Sequence, residues 1–380
     1  MNPSASSSAA GPGSESILVR GVNWLGDAVM TIPAIQRLRQ AKPRAAITLL
    51  SHDKLAGLWQ GQTFFNQLLT FSDNDNLWQT ARRLRAGRFT AAVAFPNSLR
   101  SALELWLAGI PHRIGYARPG RSLLLTHPLP PRPGAVPMRK RSAGEIHRLI
   151  ARGQAPALLP ATAHHIHNYL RLVAALGASE EPMSPSLAIN QDEAESTAAR
   201  LGLPALRPDH PFLAMCPGAE YGPAKRWPVE AFVAAGVAIH RATGCRWLIL
   251  GGPSDREIAR FISSGIGQQN PDLPVLNLAG QTTLRELAVV LVSCRLLLSN
   301  DTGPMHLAAA LGTPVVALFG STSPEMTGPA WSPAAQILRT PGLACSPCFR
   351  RQCPIDFRCM NGISADTVLA AVLRALNRKT

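Results

Sequence analysis

The residues best suited to chemistry stand in short segments that close an apolar run and open a helical pattern. The clearest is Ser299-Asn300-Asp301-Thr302-Gly303-Pro304-Met305-His306. Asp301 can cap the helix, Thr302 and Gly303 would offer free amides and a hydroxyl, and His306 falls on the first turn. Such donors at a helix N-terminus form an anion site. A capped turn with a packed histidine fits the same spacing. A second segment runs Cys216-Pro217-Gly218-Ala219-Glu220-Tyr221-Gly222-Pro223-Ala224-Lys225-Arg226-Trp227-Pro228. Its small residues let backbone amides approach a ligand, and Lys225 supplies positive charge for phosphate oxygens. The plainer account is an exposed basic pair. A Trp beside that pair, then a Pro suited to a first helical turn, favours the phosphate account.

The third segment is Arg20-Gly21-Val22-Asn23-Trp24-Leu25-Gly26-Asp27. Its glycines do not make G-x-G-x-x-G, so a nicotinamide or flavin role loses its best support. Asp27 reads equally as a helix cap or as a general base held at the mouth of a cleft. In Gly251-Gly252-Pro253-Ser254-Asp255, Asp255 suits a ribose hydroxyl beside Gly251, or a helix cap. Asn97, Ser98, Arg100 and Ser101 form one more polar loop. It suits a polyhydroxyl or phosphorylated acceptor, or capping by Asn97 or Ser98 with a solvated Arg.

The elements that must position these loops alternate. Residues 17–22, 46–50, 68–71 and 91–95 read as strands, with helices at 28–40, 54–60 and 77–86 between them. A Pro-rich basic stretch covers 128–141, a helix follows near 164–176, and 178–186 reads as a linker. The alternation restarts with strands at 212–216, 247–250, 275–278, 296–299 and 315–319. Helices fit 229–241, 255–263, 284–292, 305–311 and 365–376. This is an α/β pattern of two doubly wound parallel-sheet domains facing across a cleft, with ligands expected beyond the strand carboxyl ends. The predicted divisions are a disordered tail at 1–16, domains at 17–183 and 184–363, and a terminal helix at 364–380.

Of 380 residues, 46% are hydrophobic and 16% charged, which suits a folded chain. The net charge of +15 is uneven: residues 1–183 hold 21 Lys and Arg against 9 Asp and Glu. That half should meet an anionic partner, such as a membrane surface or an acidic substrate. In a Pro-rich loop, Arg139, Lys140 and Arg141 should be solvent-facing and mobile. Aromatics are sparse at 6%, and no nucleic-acid-binding module is recognisable, so nucleic acid is disfavoured. The start lacks the pattern of a secretory signal, and no window holds the roughly 18 apolar residues of a membrane span. A cytoplasmic location follows as the expectation. Cys345, Cys348, Cys353 and Cys359 have a spacing that permits tetrahedral zinc, but free, partly buried thiols are the preferred reading.

Together, residues 23–27, 96–100, 108–116, 217–228 and 299–306 resemble glycosyltransferase family 9 and, within it, the type II heptosyltransferases. The resemblance runs from residue 17 to about 325. It implies a GT-B fold of two Rossmann-like domains. The first would take the acceptor, with Asn23, Asn97, Ser98, Arg100 and Arg113 as candidates. The second would take the ADP-sugar, and the last helix would pack back on the first. The family's general base falls on Asp27, its phosphate-binding lysine on Lys225, and its pyrophosphate turn on Asp301, Thr302, Gly303 and His306. Type I members carry threonines where this chain has Glu220 and Tyr221, a departure that favours type II.

The implied reaction is inverting transfer of L-glycero-D-manno-heptose from ADP-heptose to the lipopolysaccharide inner core, as the second heptose on heptosyl-Kdo2-lipid A. One carboxylate suffices as base because ADP leaves readily, whereas a glycosidase needs a paired acid and base. No cofactor is required, and a divalent cation such as Mg2+ is compatible. The lipid A-linked acceptor and the inner membrane's inner face are anionic, which answers to the basic half and implies peripheral attachment. The alternatives are transfer of another core sugar within the family, or nucleotide-sugar binding without turnover. The latter predicts loss of the base, yet Asp27 is present.

Overall fold

The structure is a computed structural model that describes residues 15–154, 156–190, 192–203, 212–329 and 332–377. All but the end of the expected tail lies outside the described residues; Ser16 already belongs to the first strand. The chain divides into two compact units. The first comprises Met1–Asn23, Thr31–Pro133 and Ile166–Pro182; the second comprises Trp24–Met30, Gly134–His165 and Met183–Thr380.

The first unit holds a six-stranded parallel sheet. Its strands are β1 (Ser16–Arg20), β2 (Ala46–His52), β3 (Gln67–Phe71), β4 (Ala91–Ala94), β5 (His112–Tyr116) and β6 (His127–Leu129), in the order β3-β2-β1-β4-β5-β6. Central β1 and β4 are apolar nearly throughout because both sheet faces are covered. Leu18, Leu50, Phe71, Ala92 and Leu105 pack in one core cluster. Arg20 ends β1 in a buried ion pair with Glu104 at 2.9 Å, its guanidinium 4.1 Å from the Phe71 ring centre.

The second unit repeats the winding. Its strands are β7 (Phe212–Cys216), β8 (Arg246–Ile249), β9 (Val275–Asn277), β10 (Leu297–Asn300), β11 (Val315–Leu318) and β12 (Ala335–Leu338), in the order β12-β11-β10-β7-β8-β9. Counted within each unit, both sheets run third-second-first-fourth-fifth-sixth. The order reverses between β1 and β4 in one unit and between β7 and β10 in the other. A doubly wound sheet opens its ligand crevice at that reversal, beyond the strand carboxyl ends.

Two expected boundaries differ from the fold. The helix Ala365–Leu376 was expected on the first domain, yet it packs in the second unit. Its apolar residues recur at Val368, Ala371, Val372 and Ala375, one helical stripe buried in the cluster around Trp227 and Trp247. Residues 134–165 were assigned to the first domain but belong to the second unit. Backbone bonds hold them there: the Arg141 amide donates to Cys348 O at 3.0 Å and the His165 amide to Met326 O at 3.0 Å. Ile146, on the helix Ala143–Arg152, packs against Cys345 and Cys348. The basic triple in this segment is less free than expected. Arg139 is paired with Glu145, and Arg141 donates to Ala344 O. The helix expected at 54–60 is a 3-10 turn, Asp53–Leu55, followed by the single turn Ala56–Trp59.

Candidate active site

The loops after β7 and β10 meet at the reversal of the second sheet. Buried Asn300, the last residue of β10, stitches them together. Its side-chain oxygen accepts from the Trp227 amide at 3.1 Å, and its amide nitrogen donates to Pro217 O at 2.7 Å. With that frame fixed, the 3-10 turn Pro223–Lys225 delivers Lys225 to Asp301, Nζ to Oδ2 at 2.6 Å. Thr322, beyond the end of β11, donates its hydroxyl to the same carboxylate oxygen at 2.5 Å. Capping of the following helix was one of two readings open to Asp301; its carboxylate is occupied by these two partners. The N-cap of the helix Gly303–Ala310 is Thr302, whose side chain makes no capping bond. The first-turn amides of a helix have no partner within it, so this end is suited to an anion.

His306, one turn into that helix, is buried. Desolvation chiefly, with Lys225 adding and Asp301 opposing, lowers its imidazole to about 4, so it is neutral near pH 7. The first turn of the helix Leu25–Ala41 lies against it. A Cβ on Gly26 would come within 2.8 Å of His306 Cδ2, and one on Gly303 within 2.8 Å of Leu25 Cβ. Asp27 is the third residue of that helix, inside its first turn. A carboxylate there also favours the helix dipole. Asp27, Lys225, Asp301, Thr302, Gly303 and His306 line one cavity of about 330 Å³, together with Glu220, Tyr221, Thr322 and Arg351. That volume is at the small end for a ligand pocket. A carboxylate, a cation and an open helix end around one space are the parts needed to deprotonate a hydroxyl and hold a phosphorylated leaving group.

Other expected residues have local work. Asp255 Oδ2 accepts from the Gly252 amide at 3.0 Å, a cap interaction. A Cβ on Gly218 would meet the Asp255 carboxylate at 2.3 Å and one on Gly251 would meet its Cβ at 2.8 Å, so both glycines make room for it. Neither Gly251 nor Asp255 lines the cavity. In the first unit, Ser98 caps the helix Leu99–Leu107 by accepting from the Ser101 amide at 3.2 Å. Arg100 pairs with Glu104 at 3.0 Å, Arg113 donates to the carbonyls of Ile110 and Leu124, and Asn23 accepts from Arg20 at 3.3 Å. Asn97 is exposed. Cys345, Cys348, Cys353 and Cys359 line a separate cavity of about 20 Å³. All four are free, and burial pushes the Cys359 thiol up to about 12. Among the described residues no group of three or more His, Cys, Asp or Glu side chains is arranged to hold a metal ion.

Sequence comparison agrees with this architecture. The profile of glycosyltransferase family 9 (heptosyltransferase) matches residues 135–357. A lipooligosaccharide heptosyltransferase 2 of Haemophilus ducreyi is 30% identical over 339 residues, covering 85% of this chain and 88% of its own. The chain belongs to glycosyltransferase family 9. It is therefore a glycosyltransferase. A lipopolysaccharide heptosyltransferase 2 of Escherichia coli is 29% identical, covering 85% of this chain and 87% of its own. The solved structure of E. coli ADP-heptose lps heptosyltransferase II superposes with a TM-score of 0.75 at 26% identity, covering 95% of this chain and 98% of that one. The family match takes in Lys225, the Asp301 turn and Arg351, while Asp27 precedes it.

Sequence reasoning missed Thr322 and Arg351. Thr322 follows β11, so the rule that ligands gather beyond strand ends could have found it. Arg351 lies in the cysteine-bearing segment, far in sequence from every motif, and no pattern marked it.

Proposed function

We propose that this glycosyltransferase moves heptose from ADP-heptose to the inner core of lipopolysaccharide, adding the second heptose with inversion at the anomeric carbon. The observation that carries the reading is the shared cavity, in which Asp27 stands with Lys225 and the Thr302–Gly303 helix end. Asp27 takes the proton of the acceptor hydroxyl as its oxygen bonds to the anomeric carbon. The bond from that carbon to the diphosphate oxygen breaks, and ADP leaves. Lys225 and the helix end stabilise the charge that develops on the diphosphate. Neutral His306 can hydrogen-bond without adding charge. The names of the relatives, both heptosyltransferase 2 enzymes, support the sugar and the acceptor class.

We also propose peripheral attachment to the cytoplasmic face of the inner membrane. Among the described residues no helix is long and apolar enough to cross a membrane. The first unit carries 16 Lys and Arg against 7 Asp and Glu. Basic residues near anionic lipid contribute roughly 1 kcal/mol each. The test is incubation of the protein with ADP-heptose and a panel of truncated cores, with products weighed by mass spectrometry. The expected product is the singly heptosylated core heavier by one heptosyl unit. Transfer only from another nucleotide sugar, or only to a longer core, would overturn the assignment.

A further inference from the structure

We propose that Arg351 is a second cation of the donor-phosphate site, one that binds the diphosphate of the donor directly. This rests on the donor reading above and deepens it. The charges around the cavity make the case. Asp27, Glu220 and Asp301 line it as acids, and Lys225 and Arg351 as cations. Lys225 is already committed to Asp301 at 2.6 Å. With Lys225 alone, a diphosphate would meet three acids and one cation, and Arg351 narrows that to three against two. Arg351 supplies the uncommitted charge: among the described residues its guanidinium makes no ion pair or hydrogen bond.

Its position is built. The Arg351 guanidinium lies 5.3 Å from the Tyr221 ring centre and Lys225 Nζ lies 5.0 Å from the same centre. The two charges are therefore no more than about 10 Å apart, within reach of one sugar diphosphate. Backbone bonds fix the segment that carries Arg351. Its carbonyl accepts from the Ala224 amide at 3.0 Å, and the Tyr221 hydroxyl donates to Phe349 O at 2.7 Å. Gly222, at φ +147°, admits that carbonyl, which would lie 2.6 Å from any Cβ there. On the other side, the Phe349 amide donates to Ser321 O at 2.7 Å. The cysteine-bearing segment thus presents a planar, five-donor cation beside the phosphate loop, a geometry suited to phosphate oxygens.

The experiment is calorimetric titration of ADP and AMP into wild type, R351Q, R351K and K225A, with acceptor KM measured alongside. R351Q is expected to weaken ADP about tenfold and AMP much less, as befits a charge-assisted contact to the second phosphate. R351K should recover part of the loss, and added salt should shrink the difference. Wild-type ADP affinity in R351Q, with K225A weakened, overturns the role of Arg351 alone. So does a rise in acceptor KM with ADP affinity intact, which would assign Arg351 to the acceptor. If K225A also binds ADP like wild type, the donor site itself is misplaced.

Discussion

Lys225 and Asp301 form an ion pair at 2.6 Å with little solvent access, their side chains 13% and 4% exposed. Thr322 adds a hydroxyl to the same carboxylate oxygen. Removing one partner of a buried pair strands the other, at a cost of about 3–5 kcal/mol. D301A should therefore lower the melting temperature as well as ADP affinity. K225A should weaken ADP and ADP-sugar binding, and salt should weaken the wild type in the same direction. Calorimetry for binding and scanning calorimetry for melting check both. Unchanged ADP affinity in K225A would move the phosphates elsewhere.

Asp27 lies in the first turn of its helix and lines the cavity. A general base is worth about 10²–10⁴ in rate, so D27N should lower kcat by two orders of magnitude or more. ADP affinity should stay close to wild type if Lys225 and the Thr302–Gly303 helix end make the diphosphate contacts. Single-turnover kinetics with saturating acceptor make the comparison. Wild-type turnover in the variant would leave Asp27 a helix-dipole residue only.

His306 predicts a pH effect on stability. Burial lowers its imidazole to about 4, against 6.5 for an ordinary histidine. As pH falls through 6.5 the unfolded chain takes up a proton that the folded chain refuses until about 4. The unfolded state therefore binds more protons in that window, and stability falls as pH drops across it. The ceiling is about 3 kcal/mol. H306Q should flatten that part of the profile. Denaturant melts of both proteins across the window test it, and parallel profiles would remove His306 as the cause.

Gly26 and Gly303 should resist even the smallest side chain. A Cβ on the first would press on His306, and one on the second on Leu25. G26A and G303A should each cost activity several-fold, because either methyl must displace part of the cavity wall. Initial rates at saturating donor, with melting curves beside them, show whether the loss is local. Full activity in both variants would mean that the two helix starts yield without consequence.

The winding was legible in the sequence because central strands buried on both faces read as short apolar runs, continuous in β4 and β7 and three residues long in β1. The edges were not. Among the described residues β6, which carries Pro128, pairs with β5 at the sheet edge, and β12 is half-buried apart from exposed Ile337, so neither shows such a run. Residues 134–165 read as a loop of the first domain because their attachments lie about two hundred residues away, at Ala344 and Cys348. Among the site residues, those directly beyond β7 and β10 were visible from small-residue spacing. Asp255 and Ser98 were ambiguous because an acid or hydroxyl at a helix start caps as readily as it binds. The stripe 368, 371, 372 and 375 announced a buried helix face but carried no sign of which unit would bury it.

The two sheets share one strand order, so the fold supplies two crevices of the same kind in one chain. The helices after their fourth strands begin differently. In the second unit the helix after β10 begins without a side-chain cap, and Arg351 has no bonded partner among the described residues. In the first, the helix after β4 is closed by Ser98. The cation at the end of β1, Arg20, is already satisfied by Glu104, the Gly21 carbonyl and Asn23. Of these two helix starts, the uncapped one after β10 is the better suited to a diphosphate. On the proposed donor reading, calorimetry should therefore count one ADP per polypeptide, with the crevice of the first sheet left to the acceptor; a count of two would mean that the first crevice takes a nucleotide as well.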